Sequence, residues 1–283
     1  MKSTYSFIML FISCGIFSQS YKIFYEMSWK NSGSPSDYKE YCSLIIDEAG
    51  SSYFQSYENF RRDSAHTKMV NDYFSNKAMG LKIGDGHTDA KFRSLIIKDR
   101  PENTMIVEER FFTSIFSTDY GSCRQNWELL DSPPVTILGY KTHMARTEFG
   151  GRKWIAWYST DLPISDGPYK FHGLPGLILR ITDSENTYQF EIKGIIKEKN
   201  NIEKRNFSYD QPMKISPKQW DIFWKKYNKQ PSVIFENLNT TQTTYVINGK
   251  DVNSKEVKES YNKKEWEILK YLKTPIELVS NCL

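Results

Sequence analysis

The sequence has few of the residues from which metal and nucleophilic sites are usually built. It contains only four cysteines and four histidines, and no Cys-x-x-Cys pair occurs, so zinc-ribbon and thioredoxin-type sites are unsupported. A Gly-x-Ser-x-Gly motif is also absent, which removes the usual signature of a serine hydrolase. Asp85, His87 and Asp89 superficially suggest a metal loop, but the terminal glutamate of a calcium loop is missing and a turn is the better interpretation. We therefore predict no catalytic residues, no metal and no cofactor.

Long apolar runs are also missing, except at the N-terminus. Lys2 is followed by an apolar run that extends from Phe7 to Phe17, and Ser18-Gln19-Ser20 comes next. This run has the length of the apolar part of a secretory signal peptide and is shorter than the about 20 residues that span a bilayer. We predict a signal peptide over residues 1–18, export to the periplasm or cell envelope, and no transmembrane segment.

An alternative processing route depends on Cys14. Ile12-Ser13-Cys14-Gly15 resembles a lipoprotein cleavage box, which would leave Cys14 as a lipidated first residue, although Phe11 is unusual for such a box. Under the favoured route, cleavage leaves residues 19–283 as the mature chain.

Three cysteines remain in that mature chain: Cys42, Cys123 and Cys282. In an oxidising compartment two of them can pair and leave the third free. The sequence leaves all three pairings open, together with the alternative of buried free thiols.

A strong charge imbalance is missing as well. The formal net charge is +4, and the lysines of residues 193–273 alternate with glutamates on a predicted helix. That pattern is typical of a solvated helix face, so we predict no nucleic-acid partner.

What the chain has in abundance is aromatic side chains, which make up 15% of its residues. Aromatic residues favour pleated, half-buried strands, and short strands separated by turn residues predict antiparallel meanders. The polar residues 63–90 are interpreted as a loop or an exposed excursion. The strand candidates cover residues 21–29, 42–46, 92–97, 105–112, 127–130, 135–140, 140–147, 152–158, 177–181 and 188–196.

The C-terminal part, from about residue 212 to residue 283, has a different character. Ser216-Pro217-Lys218-Gln219 forms a capping box with proline at the first helical position, and an aromatic stripe from Trp220 to Tyr227 follows at helical spacing. A short strand over residues 244–247 and a second helix from Ser254 to about Leu272 complete the chain. The predicted fold class is mainly β, or β-rich α+β. We expect a single curved antiparallel sheet or a partly open β-barrel with a few covering helices, in one domain over residues 19–283.

Residues 161–176, here called the connecting segment, join the strands over residues 152–158 and 177–181. Prolines and glycines stiffen this segment, and we predict a bend at Gly167-Pro168 and a type II turn at Pro175-Gly176 with a positive φ at Gly176. The favoured interpretation is that its apolar residues tuck over the sheet and seal the core. The alternative is a pocket for an apolar or peptide ligand, rimmed by Trp154, Trp157, Tyr158, Tyr169, Phe171 and His172.

This region closely resembles the GLPGLI family, which is named for the hexapeptide Gly173-Leu174-Pro175-Gly176-Leu177-Ile178. Gly151-Arg152-Lys153-Trp154, Ala156-Trp157-Tyr158 and Gly167-Pro168-Tyr169-Lys170-Phe171 carry the rest of the resemblance. It implies an exported protein of a Gram-negative cell envelope and no established biochemical activity. Where the family often has a cysteine, this chain has Thr142, so a thiol role at that position does not carry over.

Three functional hypotheses remain from the sequence. The leading one is a non-enzymatic envelope protein that binds an apolar or peptide ligand or an outer-membrane partner. A structural or assembly subunit of an envelope complex is the alternative. A hydrolase is the third, and it requires His143, His172 and Asp161 or Asp166 to lie within hydrogen-bond reach of one another.

Overall fold

The computed structural model describes residues 20–31, 37–76, 89–111, 114–198, 212–236, 245–247 and 250–279. Within these ranges, strands dominate the N-terminal two thirds and helices the C-terminal third. The strands are β1 (Ser20–Trp29), β2 (Tyr38–Ile46), β3 (Ser52–Ser56), β4 (Leu95–Asp99), β5 (Thr104–Phe111), β6 (Ser114–Asp119), β7 (Glu128–Ile137), β8 (Tyr140–Phe149), β9 (Arg152–Ser159), β10 (Leu177–Asp183), β11 (Tyr188–Glu198), β12 (Met213–Ile215), β13 (Tyr245–Ile247) and β14 (Lys250–Val252). The helices are α1 (Tyr57–Asn76), α2 (Pro217–Lys229) and α3 (Ser254–Leu269).

Twelve of these strands form one sheet in the order β12-β6-β5-β4-β3-β2-β1-β11-β10-β9-β8-β7, and β13 and β14 form a separate hairpin. All neighbours in the large sheet are antiparallel except β12 and β6, which are parallel. Within the described ranges, strands β12 and β7 each pair on one side only, so the sheet is open. The predicted fold class, a β-rich open antiparallel sheet with a few helices, is confirmed.

The core lies on one face of the sheet, here called the core face. Along β1 the side chains of Ile23, Tyr25 and Met27 are buried, whereas the residues between them are partly exposed. That period of two is what a half-buried strand requires. Helix α1 packs on the opposite face, where the ring centroid of Tyr57 lies 5.5 Å from that of Phe24.

The interpretation of residues 63–90 as a loop was wrong for residues 63–76. Helix α1 runs through them to Asn76. The polar residues belong to a helix that covers the sheet with one side only, so a polar stretch does not by itself exclude a helix. Asp85 and His87 of the predicted turn lie outside the described residues.

Two strand predictions needed correction. Residues 127–130 and 135–140, expected as separate strands, belong largely to the single strand β7, whose register with β8 shifts between Leu130 and Val135. Pro133 and Pro134 fall within this irregularity, and proline is tolerated there because β7 is an edge strand. Strand β6 was not predicted, because its short sequence lacks a clear alternation of apolar and polar residues.

The C-terminal helices follow their sequence signals. Ser216 caps α2, with the reciprocal Gln219 bond of a capping box. The aromatic stripe of α2 packs on the core face at Phe111, whose ring centroid lies 4.6 Å from that of Tyr227 and 5.1 Å from that of Phe223. Helix α3 ends at Leu269, and a single turn of 3₁₀-helix continues to Leu272.

The cysteines divide into two states. Cys42 is a buried free thiol, and Cys123 is disulfide-bonded. Pairings that involve Cys42 are therefore excluded. Cys282 and residues 1–19, which include the predicted signal peptide and Cys14, lie outside the described residues. No helix in the described part of the chain is long and apolar enough to cross a membrane.

Candidate functional site

The connecting segment joins two strands that are direct neighbours, β9 and β10, and it folds back over the core face. Phe171 and Leu174 are almost completely buried there. The ring of Phe171 packs against Trp154 of β9, at a centroid separation of 4.8 Å, and against Phe149 of β8, at 5.4 Å. Aromatic side chains of the segment therefore fill the space that the sheet offers beneath it.

The glycines of the connecting segment are required for a different structural reason from the one that we predicted. Gly176 does not have a positive φ, so the predicted type II turn at Pro175-Gly176 was wrong; Gly173 has the positive φ, of 95°. A Cβ atom on Gly176 would lie 2.0 Å from the carbonyl oxygen of Ser159, and one on Gly167 would lie 2.8 Å from Ile178 Cδ1. Glycine is needed at both positions because another part of the chain approaches too closely for a side chain.

The predicted bend at Gly167-Pro168 is present. The amide of Phe171 donates to the carbonyl oxygen of Pro168 at 3.1 Å, which closes a turn. Within this turn Tyr169 has a φ of 54°, an uncommon value for a residue other than glycine. The turn aims the Tyr169 side chain along the core face, where its ring stacks on Phe190 at 6.3 Å.

A buried ion pair fixes the segment to the sheet. Lys98 of β4 faces the core, and its Nζ lies 2.5 Å from Asp166 Oδ1. The same ammonium group donates to the carbonyl oxygens of Gly167, at 2.7 Å, and Phe171, at 3.2 Å. Asp166 also accepts from the amide of Gly167 at 2.7 Å. One lysine thus satisfies three acceptors of the segment within the core.

The charges of this pair affect the groups around it. Burial alone would raise the pKa of Asp166, but the Lys98 ammonium and its hydrogen bond outweigh burial, so the pKa of the carboxyl is lowered. Burial lowers the pKa of Lys98, and Asp166 offsets only part of that effect. Burial also lowers the pKa of the nearby His172 imidazole, and Lys98 lowers it further.

The six candidate binding residues occupy three different environments. Four of them are buried in the core: Trp154, Tyr158, Tyr169 and Phe171. Trp157 lies on the opposite face of β9, where the guanidinium of Arg180 is 5.5 Å from its ring centroid. His172 is partly buried at the end of the segment, and its carbonyl oxygen accepts from Trp127 Nε1 at 2.8 Å. A ligand role for these six residues stays a prediction.

The residues considered for a hydrolase are engaged elsewhere. Asp166 binds Lys98, as described above, and the Nδ1 atom of His172 lies 3.0 Å from the carbonyl oxygen of Lys170. The ring centroid of His143 lies 5.7 Å from that of Tyr158, with the two ring planes tilted, and Asp161 is exposed. Among the described residues, no group of three or more His, Cys, Asp or Glu side chains is arranged to hold a metal ion.

A second segment also packs against the sheet, and sequence reasoning missed it. Residues 270–279, here called the strap, follow α3 and cross one end of the sheet without pairing as a strand. Trp29 Nε1 donates to the carbonyl oxygen of Tyr271 at 2.8 Å, and Arg152 Nη2 and Nε donate to those of Pro275 and Ile276, each at 2.9 Å. Asn31 Nδ2 donates to the carbonyl oxygen of Lys270, and the Tyr188 hydroxyl donates to that of Thr274.

The donors that hold the strap are themselves held by the sheet. Arg152 Nη1 forms a buried ion pair with Asp183 Oδ2 at 2.8 Å, and Asp183 Oδ1 accepts from the amides of Thr187 and Tyr188. The guanidinium of Arg152 also lies 5.5 Å from the Tyr188 ring centroid. These contacts orient Arg152 and Tyr188 without any contribution from the strap. We call the donors Trp29, Asn31, Arg152 and Tyr188, together with Gly150, Tyr169 and Lys170, the strap groove.

Gly150 and the connecting segment complete the strap groove. The amide of Leu278 donates to the carbonyl oxygen of Gly150 at 2.7 Å, and a Cβ atom on Gly150 would lie 2.6 Å from Glu277 Cγ. Lys170 Nζ lies 2.7 Å from Glu277 Oε1, and the Tyr169 hydroxyl donates to the same carboxylate. Burial, followed by this carboxylate, raises the pKa of the Tyr169 phenol well above its ordinary value.

Fold and site together define a β-rich protein with an open, mostly antiparallel sheet, whose core face is covered by its own connecting segment and strap. A family model described as a protein of unknown function (Porph_ging) matches residues 63–180, which include the connecting segment. The chain thus resembles a family without an assigned activity, as expected, and the GLPGLI name stays a prediction. A search of curated proteins finds none that matches.

The chain is also similar to solved structures. One is PNGF-II in a C2 crystal form, with a TM-score of 0.51 and 16% identity over 73% of this chain and 33% of that one. PNGF-II in a P21 form gives a TM-score of 0.48 at 16% identity, with the same coverage of 73% and 33%. A putative outer membrane lipoprotein-sorting protein domain from Vibrio parahaemolyticus gives 0.24 at 7% identity, over 66% and 88%. The chain thus spans about a third of the length of the PNGF-II structures, 33%. The likeness to the C2 form shows the fold alone.

Proposed function

We propose that the protein is exported to the cell envelope and acts there as a non-enzymatic binding protein for a peptide segment of an envelope or outer-membrane partner. This proposal rests mainly on the side-chain donors of the strap groove. These donors bind main-chain carbonyl groups, which every peptide possesses. Side chains that recognise main-chain atoms of an extended segment are typical of peptide-binding sites.

Export is supported by two independent features of the chain. The N-terminal residues 1–18 have the pattern of a signal peptide. Cys123 is disulfide-bonded, and disulfides persist mainly in oxidising compartments outside the cytosol. Mass analysis of the protein recovered from an envelope fraction tests this proposal. A mature chain that begins at Gln19 supports soluble export, a diacylated Cys14 supports the lipoprotein alternative, and an unprocessed cytosolic chain contradicts both.

A peptide fits the geometry better than an apolar small molecule does. The rings beneath the connecting segment contact one another, as Phe171 does with Trp154 and Phe149. Their apolar surfaces are therefore already buried against each other. The strap groove, in contrast, holds main-chain carbonyl groups of the strap through polar donors at the edge of the core, and a peptide that replaces the strap gains the same hydrogen bonds. Polar donors with fixed orientation give specificity for a ligand that offers matching acceptors.

A direct comparison of the two ligand classes tests the proposal. The full-length protein is exposed to a displayed library of extended peptides and, separately, to an apolar dye and to lipid vesicles. We expect saturable peptide binding that Trp157→Ala leaves unchanged, because Trp157 lies on the opposite face. Saturable dye or lipid uptake that Trp157→Ala weakens, with no peptide selected, would support the apolar alternative instead.

An assembly role is the second candidate, and one surface favours it. Leu129, Val135 and Leu138 are 60%, 43% and 51% exposed along β7 and the turn that follows it. Exposed apolar side chains clustered on an edge strand are typical of protein interfaces. Leu129→Asp is expected to abolish any cross-linked envelope complex if this surface carries the assembly, and to leave it intact if the strap groove does.

A further inference from the structure

The strap has the structural properties of a bound peptide. It forms no ladder with a neighbouring strand, and five of its main-chain carbonyl groups accept from side chains of the strap groove, those of Lys270, Tyr271, Thr274, Pro275 and Ile276. These hydrogen bonds do not depend on which side chains the strap carries. Lys270 and Tyr271 belong to the 3₁₀ turn that follows α3, so a peptide that adopts the strap's own path is able to accept all five.

Three strap residues make contacts that depend on their identity. The ring of Tyr271 packs against the core and lies 4.9 Å, between centroids, from that of Tyr38. Ile276 packs against the core, and the Glu277 carboxylate binds Lys170 and Tyr169. The residues beyond them contribute less burial, since Leu278 is 56% and Val279 52% exposed. The specific part of the strap is therefore the aromatic Tyr271, followed further along by an apolar residue and an acidic residue in direct succession.

Both cations of the strap groove also have contacts that do not involve the strap. Arg152 retains its ion pair with Asp183, and the Lys170 ammonium retains the face of the Tyr120 ring, 4.2 Å from its centroid. A site whose donors are oriented before the ligand arrives loses little entropy on binding. A local opening of the strap, without release of the chain on either side of it, thus exposes donors that are already oriented for another peptide.

We infer that the strap is an intramolecular ligand that occupies a peptide-binding groove and competes with a partner. The partner's segment is a peptide with an aromatic residue in the position of Tyr271 and an apolar–acidic pair in the positions of Ile276 and Glu277. This inference rests on the proposed function and specifies its ligand class. When a cis ligand and a trans ligand share one site, the apparent affinity for the second is its intrinsic affinity multiplied by the fraction of sites that the first leaves free.

Fluorescence anisotropy with a labelled peptide of residues 271–279 tests the inference on the full-length protein. Glu277→Gln weakens the strap but leaves the strap groove unchanged, so it is expected to bind the labelled peptide about tenfold more tightly than the wild type does. Lys273→Gln is the matched control, because Lys273 lies in the strap and is exposed. It is expected to bind the peptide as the wild type does.

Two further measurements locate the binding. Tyr188→Phe removes one donor to the strap, so in the Glu277→Gln background it is expected to weaken peptide binding about tenfold. Replacing the glutamate of the peptide by glutamine alters the ligand and leaves protein folding unaffected, and it is expected to weaken binding similarly. If the peptide binds tightly and neither the protein substitutions nor the replacement in the peptide alters its affinity, the inference is overturned and the proposed function stands. No peptide binding by any variant contradicts both.

Discussion

Lys98 and Asp166 are 68 residues apart in the sequence and meet beneath the connecting segment. This contact was not predicted, because a lysine in a strand is ordinarily interpreted as exposed. Only the pairing of β4 with β3 places Lys98 on the core face, opposite Ser52. Residue pairs of this kind depend on strand register, and a single sequence does not determine the register of distant strands.

Substituting Lys98 tests how much the buried pair contributes to stability. Lys98→Met removes the nearer of the two cations at the buried Asp166 carboxylate and leaves only Arg100, 3.9 Å away. The free energy of unfolding is therefore expected to fall by about 3–5 kcal/mol in urea titrations. Lys153→Met is the control. Its partner Glu148 is 3.9 Å away and both side chains are exposed, so a change within about 0.5 kcal/mol is expected. Equal effects of the two substitutions would show that the buried pair has no special weight.

The lowered pKa of His172 predicts a specific pH dependence. Unfolding restores the pKa of the imidazole to about 6.5, so the unfolded chain binds this proton more readily than the folded chain does. The corresponding stability is present above that pH and is lost as the pH falls towards the lower pKa of the folded protein.

Comparison of wild type with His172→Gln isolates this contribution. Between about pH 7.5 and about pH 5.5, the wild type is expected to lose more unfolding free energy than the variant does. Glu40 and Glu109, whose pKa values burial raises, act in the opposite direction but are common to both proteins. An identical pH dependence of the two proteins would refute the role assigned to His172.

At the scale of elements, the connecting segment illustrates both the success and the limit of prediction. Its stiffness and its coverage of the core were evident from the spacing of Pro163, Pro168 and Pro175, and from the apolar residues between them. The reason for Gly176 was not evident, since a sequence does not show that Ser159 lies against it. Turn rules explain glycines that need a positive φ, whereas close approach becomes visible only in the structure.

Gly176→Ala tests the close approach. A Cβ atom 2.0 Å from the carbonyl oxygen of Ser159 forces the backbone to move, so the free energy of unfolding is expected to fall by about 1–3 kcal/mol or more. Gly194→Ala is the matched control, because its nearest atom would be Phe24 Cδ2 at 3.9 Å and its φ is ordinary. Thermal or urea unfolding measures both. A loss for Gly176→Ala no larger than for Gly194→Ala would contradict the packing account.

Helices and strands with strong local signals were predictable, and those that depend on distant contacts were not. The capping box at Ser216 and the alternation along β1 each carry their own periodicity. The second half of α1 and the whole of the strap lack such a pattern. The strap owes its position to side chains from β1, β9 and β11, which no local rule connects to residues 270–279.

At the scale of the whole molecule, two segments cover the core face in different ways. The connecting segment is fixed by a buried ion pair and by aromatic packing, whereas the strap is held largely through its main-chain carbonyl groups. The proposed binding function requires this difference, because one segment has to stay while the other has to leave. Local opening of this kind occurs with a free energy below that of global unfolding.

Native-state hydrogen exchange of the full-length protein measures that difference directly. In the strap, the amide of Leu278 donates to the carbonyl oxygen of Gly150. For the connecting segment, the amide of Ile178 in β10 donates to the carbonyl oxygen of Asp166. We expect Leu278 to exchange through a local opening whose free energy lies about 2 kcal/mol or more below that of Ile178. Exchange of both amides with the same free energy, equal to that of global unfolding, would show that the strap is a permanent part of the fold and would contradict the account.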